Sequence, residues 1–222
     1  EKSTKVLAQY LKQFVQLIFA PTKGWEDIER ESGEQFRIAR EDGISADSPR
    51  VRSASYVEEQ NVWEEHRATR CFYSCFLPAI CLFALSWLVR ALYGTDDLLS
   101  CIQKAIVTFV TLFLSSQFAR YIFMVYMPRI MAPSVLIEPK GRWFVLIMQC
   151  LTFLGTITLV SNIVKTHLAL IEFLPFYVIF IIWKGAKFAG VDEKNVGLYM
   201  IIATLSILGP TYLLSILLNA LI

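Results

Sequence analysis

Histidine is nearly missing from this sequence, with two in 222 residues, and charged side chains of any kind are few, at 18%. A soluble domain usually carries about 25% charged and about 45–50% apolar residues. Here 55% are apolar and the mean hydropathy is +0.51. His66 and His167 fall on opposite sides of the membrane topology derived below, and neither has a cysteine or carboxylate in ligand spacing. No metal site is expected from them. The net charge is only +2, and no basic run is interleaved with aromatics, so no nucleic-acid partner is expected. Phosphate loops, nucleophile elbows and dinucleotide fingerprints are missing too. The expectation is therefore a chain without catalytic residues, metal or cofactor.

Cysteine is present but does not form a framework. Cys71, Cys75, Cys81, Cys101 and Cys150 are odd in number, and none lies in the polar N-terminal segment. Cys71 and Cys75 are four apart without a second pair to complete a zinc set. Four of the five fall in or beside apolar stretches and Cys101 lies in the short loop after the first, so they read as small buried hydrophobes. No short apolar stretch near Glu1 is followed by a small-residue cleavage site, so no signal peptide is expected. The first long apolar helix can serve as the insertion signal.

What charge there is has an uneven distribution. Residues 1–70 hold 11 of the 21 Lys and Arg and 13 of the 19 Asp and Glu. The remaining 152 residues are built for a different solvent. A helix needs about 20 mostly apolar residues to cross a hydrocarbon core of about 30 Å. Five stretches qualify, near 72–92, 105–127, 143–164, 168–189 and 198–222. The fold class expected is all-α, a bundle of about five transmembrane helices behind a cytoplasmic segment at 1–70. The fourth stretch is short and contains Glu172 and Pro175, so a re-entrant segment also fits. With the N-terminus cytoplasmic, the inside flanks hold Arg67, Arg70, Arg129, Lys140, Arg142, Lys184, Lys187 and Lys194, and the outside flanks hold Arg90, Lys104 and Lys165. Eight against three sets the N-terminus in and the C-terminus out.

Within the polar segment, Lys5, Gln9, Lys12 and Gln16 are spaced by 4, 3 and 4, which predicts an amphipathic helix over 4–19. Such a helix can lie at the interface with its lysines toward lipid phosphates, or pack its apolar face on the bundle. Ala20 and Pro21 stop it, and Thr22 is placed to cap a short helix with Trp25, Glu26 and Asp27 in its first turn. Residues 29–55 mix charges of both signs with Gly33, Gly43 and Pro49, which predicts a polar linker, a loop or weak helix. Tyr56 to Arg70 has a helical look and leads into the first span.

Ionisable groups inside a bilayer are costly, so each is a functional candidate. Arg120 lies inside the second span behind Ser115, Ser116 and Gln117, about 10 Å from the cytoplasmic end at 1.5 Å per residue. It reads either as a structural arginine bonded to backbone carbonyls or head groups, or as part of a ligand, ion or lipid site with Gln117, Gln149 and Glu172. Glu172 lies at a different depth, which argues against a direct pair. The third span carries Gln149, Thr152, Gly155, Thr156, Thr158, Ser161 and Asn162, as either packing groups or a polar pathway. Pro78, Pro175 and Pro210 each free a backbone carbonyl.

Two segments carry a family resemblance. Phe19-Ala20-Pro21-Thr22-Lys23-Gly24-Trp25-Glu26-Asp27-Ile28 resembles the proline-then-tryptophan opening of bacterial members of the Yip family. The segment from Ile182 through Trp183, Gly185 and Phe188 to Lys194 is similar to that family's aromatic, basic residue, glycine and lysine-containing turn before the last helix. The close around Gly209 and Pro210 fits as well. The resemblance implies a five-span protein, here of a bacterial cytoplasmic membrane, that organises the membrane or binds partners and has no catalytic residues. Eukaryotic members interact with Rab GTPases, which does not carry over to a bacterial member. The partners left open are the bilayer, a membrane or cytoplasmic protein docking through residues 1–70, and a second copy of the chain. A transporter or channel centred on Arg120 is the alternative, and a lipid enzyme ranks last because the spans offer no cluster of His, Asp or Glu near one interface.

Overall fold

The computed structural model describes residues 2–43, 54–93, 97–133, 138–164 and 169–221, with side chains omitted at 2–5, 39–43, 54–57, 169–172 and 221. These residues form eight α-helices: α1 (Lys2–Phe19), α2 (Pro21–Gly43), α3 (Ala54–Cys71), α4 (Leu77–Leu92), α5 (Leu98–Tyr126), α6 (Lys140–Ile163), α7 (Ala169–Lys184) and α8 (Val196–Leu221). Among the described residues there is no strand, only an isolated bridge between Met131 and Val191. The expected all-helical architecture holds.

α1 and α2 form a hairpin with Ala20 as the only non-helical residue between them. Pro21 suits the first helical position, where its missing N–H has no helical acceptor to lose. Gly24 lets the hairpin close, because a Cβ there would meet Leu17 Cδ2 at 2.9 Å. Thr22 is thus the second residue of a 23-residue helix rather than the cap of a short one, and Glu26 and Asp27 lie beyond its first turn. The polar linker expected over 29–55 is helical to Gly43 and again from Ala54; positions 44–53 lie outside the described residues. The physical reason is that this stretch does own a buried side. Ile28, Ser32 and Phe36, four apart, are all buried, and the Phe36 ring lies 5.8 Å from that of Trp63 on α3.

α3 runs into α4 through one wide turn at Phe72–Phe76, where the Leu77 N–H reaches back five residues to Phe72 O. Pro78 explains the widening: it donates nothing, and its ring crowds the carbonyl four residues earlier. α5 starts earlier than the sequence suggests, because the Asp97 side chain accepts from Leu99 N at 3.2 Å and caps it. Cys101 is therefore a fully buried helical residue, not a loop residue. Cys75 and Cys150 are buried as expected, Cys71 partly so, and Cys81 is exposed.

α6 is the central helix. Of its most apolar window 61% is buried, against 17% for α8. Its contacts with the α3–α4 rod rise in step: Gly141 on the Glu64 backbone, Phe144 on Phe72, Gly155 on Phe83, and Asn162 donating to Ser86 Oγ at 2.8 Å. The two helices therefore run parallel. Gly155 admits the Phe83 ring where a Cβ would collide with it, the packing role that small residues serve in lipid-facing bundles.

Four helical segments are long and apolar enough to cross a membrane: Glu58–Leu92, Leu98–Arg129, Lys140–Ile163 and Glu193–Ala220. α7, with 16 residues, reaches only about 24 Å. The stretch expected over 168–189 ends as helix at Lys184, after which residues 185–190 form turns. Gly190 closes them at φ 75°, a conformation that favours glycine. Its carbonyl accepts from Ala132 N at 2.9 Å.

Candidate functional site

The two segments singled out at opposite ends of the sequence pack against each other. Trp25 is buried, its Nε1 donates to Ile181 O at 3.1 Å, and its ring stacks on Phe188 at 4.8 Å. Gly185 makes room for it, since a Cβ there would lie 3.2 Å from the indole and 2.9 Å from Leu146. Trp143 braces the same turn from α6 by donating to Ala189 O at 2.9 Å. Buried indoles need such a partner, and both find it in carbonyls at the end of α7 or the turn after it. Of the remaining motif residues, Lys194 sits in a short 3-10 turn capped by Asp192, and Pro210 lies inside α8.

Around this aromatic joint lies a charged cluster. The Glu64 carboxylate, 4% exposed, accepts from Arg142 Nε at 3.1 Å, Gln60 Nε2 at 3.1 Å and Ser32 Oγ at 3.4 Å. Arg142 also reaches Glu29 on α2 at 2.5 Å and lies 5.9 Å from the centre of the Phe188 ring. One arginine at the start of α6 therefore holds both α2 and α3. Gly141 makes this possible, because α3's backbone at Glu64 would be only 2.5 Å from a Cβ there.

α1 closes over the cluster. Gln9 and Gln13 donate to Glu31 at 3.0 and 2.8 Å, Lys12 approaches the same carboxylate at 3.5 Å, and Gln16 bonds Asp27. Of the polar face, Gln9, Lys12 and Gln16 meet the acidic residues of α2, and the Lys5 side chain lies outside the described residues; Asp27 and Glu31, four apart, match that face in spacing. Burial works to raise the pKa of Glu31, but these donors outweigh it and hold the carboxyl below its usual range. Tyr10, Gln13, Phe14 and Leu17 are buried against the protein, with Tyr10 OH and Thr152 Oγ1 2.7 Å apart. Burial drives the Tyr10 pKa well above its ordinary value, so the phenol stays neutral.

Between α1 and α3 a cavity of about 190 Å³ remains, lined among others by Gln9, Tyr10, Trp63, His66, Arg67 and Arg70. A smaller one of about 40 Å³ touches Glu64, Arg67 and Arg142. The arrangement offers guanidinium donors and a neutral phenol in a half-open recess. Among the described residues no group of three His, Cys, Asp or Glu could hold a metal.

The candidates named from sequence are not brought together. Arg120 pairs with Glu65 of α3 at 3.3 Å and lies 4.7 Å from the centre of the Phe144 ring, so it is held by a carboxylate and an aromatic face rather than by carbonyls. Gln117 donates to Ser116 at 3.2 Å. Gln149 is buried with both amide atoms unpartnered, and five residues beyond Phe144 it points about 140° away from Arg120's contact. The Glu172 side chain and His167 lie outside the described residues. Glu64 and the cavity role of Arg67 and Arg70 escaped sequence reasoning; the signal available was Glu64, Arg67, Ala68 and Cys71 at helical spacing on one face of α3.

No family model, curated protein or solved structure matches the chain.

Proposed function

We propose that the chain is a five-span membrane protein of the Yip type, with its N-terminus cytoplasmic, that binds a partner protein or lipid through residues 1–70 and does no chemistry. The observation that carries this reading is the docking of the α1–α2 hairpin on the start of α6 through Trp25 and Arg142. It turns a polar segment into a fixed part of the bundle, which α1 follows as far as Thr152 on α6 and Tyr177 on α7. α7 is the added span: its apolar run Phe173–Lys184 is short, and a thinner bilayer at that point would complete the crossing. The lysine and arginine bias supports the cytoplasmic N-terminus. α1 also keeps an apolar stripe bare, Leu7, Leu11, Val15 and Phe19 at four-residue steps, which suits a helix lying in the interface beside the bundle.

Purification of the full chain and of a form lacking residues 1–60 from the same membranes tests this. Loss of the co-purifying protein or lipid from the shortened form is expected. Retention of every bound species would end the proposal.

A transporter remains the second reading, but it moves away from Arg120. A cavity of about 250 Å³ lined by Thr108, Thr111, Thr158, Thr211 and Ser215 lies between α5, α6 and α8, and Thr111 Oγ1 has no partner there. Unchanged flux of every solute tested in a reconstituted T111A/T158A variant would remove it.

A further inference from the structure

On α3, two arginines are left without the carboxylates that answer their neighbours. Arg30, Arg120 and Arg142 each hold an acidic partner. Among the described residues neither Arg67 nor Arg70 has a carboxylate within salt-bridge distance. The acids close to Arg67 are already engaged, Glu31 by Gln9, Gln13 and Lys12, and Glu64 by Arg142, Gln60 and Ser32. Arg67 lies over the Trp63 ring, 5.6 Å from its centre, a contact with the cation's face that uses none of its N–H groups as a salt bridge would. Three residues apart on α3, Arg67 and Arg70 share a helix face, and both line the cavity of about 190 Å³ beneath α1. A single water needs only about 10–15 Å³ by the same kind of measure, so this space has room for a polyatomic group.

Two further features say what that group is. Arg70 lies two residues before the apolar run from Phe72 to Leu92, which, with α4 read as a span, sets Arg67 and Arg70 near the level of lipid phosphates. The walls are mixed, with Val6, Tyr10 and Trp63 beside the cations, and the next face of α1 bears the bare stripe of Leu7, Leu11 and Val15. A guanidinium pair matches phosphate oxygens bidentately, and the apolar walls match the glycerol and first methylenes behind them.

We infer that the cavity between α1 and α3 binds a phosphate-bearing lipid head group, with Arg67 and Arg70 gripping the phosphate. The inference rests on the reading of the chain as a membrane protein that binds through its first 70 residues, and it gives that reading a ligand. The same chemistry would accept free phosphate, which the test separates.

The test is calorimetric titration of the full chain in non-ionic detergent with dihexanoyl phosphatidic acid, dihexanoylglycerol and inorganic phosphate. Phosphatidic acid is expected to bind saturably and dihexanoylglycerol not at all. R67Q/R70Q is expected to weaken binding about tenfold or more, the loss of two charge-assisted contacts, and V6W, which fills the cavity and keeps both arginines, to weaken it similarly. Inorganic phosphate binding as tightly as the lipid, with the same loss in R67Q/R70Q, would uphold the arginine pair as a phosphate site and overturn the lipid as its source. Wild-type affinity for phosphatidic acid in R67Q/R70Q overturns the site itself; if that variant does not fold, wild-type affinity in V6W does so. Either result alongside loss of a bound partner on deletion of residues 1–60 would sink the phosphate site and leave the wider function standing.

Discussion

The two ends of α6 are held in different ways. At its start, Gly141, Arg142, Trp143 and Phe144 reach α2, α3 and the turn after α7 through ion pairs, an indole hydrogen bond and ring stacking. Past the Tyr10–Thr152 bond at its middle, the long-range polar contact among the described residues is the amide–hydroxyl bond from Asn162 to Ser86, and Thr156 and Thr158 turn back to carbonyls of their own helix. The remainder there is the exposed Ser161 and apolar side chains, of which Val160 and Ile163 are exposed. Water explains the difference. Where a helix end lies at the aqueous boundary, charged groups can be held at tolerable cost, and they fix geometry. Within hydrocarbon, close packing and internal hydrogen bonds do the holding.

The strongest way to break the contrast is at Arg142. Replacing it with methionine strands the buried Glu64 carboxylate, and removing one partner of such a pair costs about 3–5 kcal/mol. A large drop in melting temperature in detergent is expected, together with faster proteolysis of α1 and α2. Asn162→Leu at the other end removes one buried hydrogen bond and is expected to cost only about 1–2 kcal/mol. Equal losses at the two sites would show that the ends are not different in kind.

A smaller effect separates glycines. Gly141→Ala forces a Cβ into the α3 backbone at 2.5 Å, whereas Gly209 has nothing within 4 Å of a Cβ. Overpacking is expected to cost Gly141→Ala about 1–3 kcal/mol. Gly209→Ala, in an open stretch of α8, is expected to be neutral or to stabilise by up to about 1 kcal/mol. Thermal melts of both variants check the pair.

The smallest effect is the response of the α1–α2 hairpin to acid. Glu31 titrates below the usual carboxylate range because Gln9, Gln13 and Lys12 favour its charged form over the cost of burial. Its contribution is therefore complete above the unfolded-state pKa and is lost as pH falls through the lower folded-state value. Protection of α1 amides from hydrogen exchange, relative to the intrinsic rate at each pH, is expected to be unchanged from pH 7 to 5 and to fall below about pH 4, and Glu31→Gln is expected to flatten that fall.

The same boundary explains what could be read from the sequence. Apolar length alone reveals α4, α5, α6 and α8, and α1 follows from the spacing of Lys5, Gln9, Lys12 and Gln16. The helix over Pro21–Gly43 was hidden because its buried side is only Ile28, Ser32 and Phe36, and what makes it persist is contact with α1 and α3 rather than local propensity. The partners of Gln9 and Gln13 lie 22 and 18 residues away, so periodicity within one helix could not reveal that its polar face turns inward. Arg120 was visible as a buried charge, but Glu65, 55 residues away, became its partner only through the fold. Trp25 and Gly185 were visible as marked positions, while their contact across the chain was not.

Counting crossings tests the account most directly. Single cysteines at Lys23 and Asn219, in a chain whose five native cysteines are replaced, can be labelled with a membrane-impermeant maleimide in intact cells and in inverted vesicles. Five spans with a cytoplasmic N-terminus predict that Lys23→Cys labels only in inverted vesicles and Asn219→Cys only in intact cells. Labelling of both from the same side would mean an even number of crossings, with α7 not spanning, and would contradict the account.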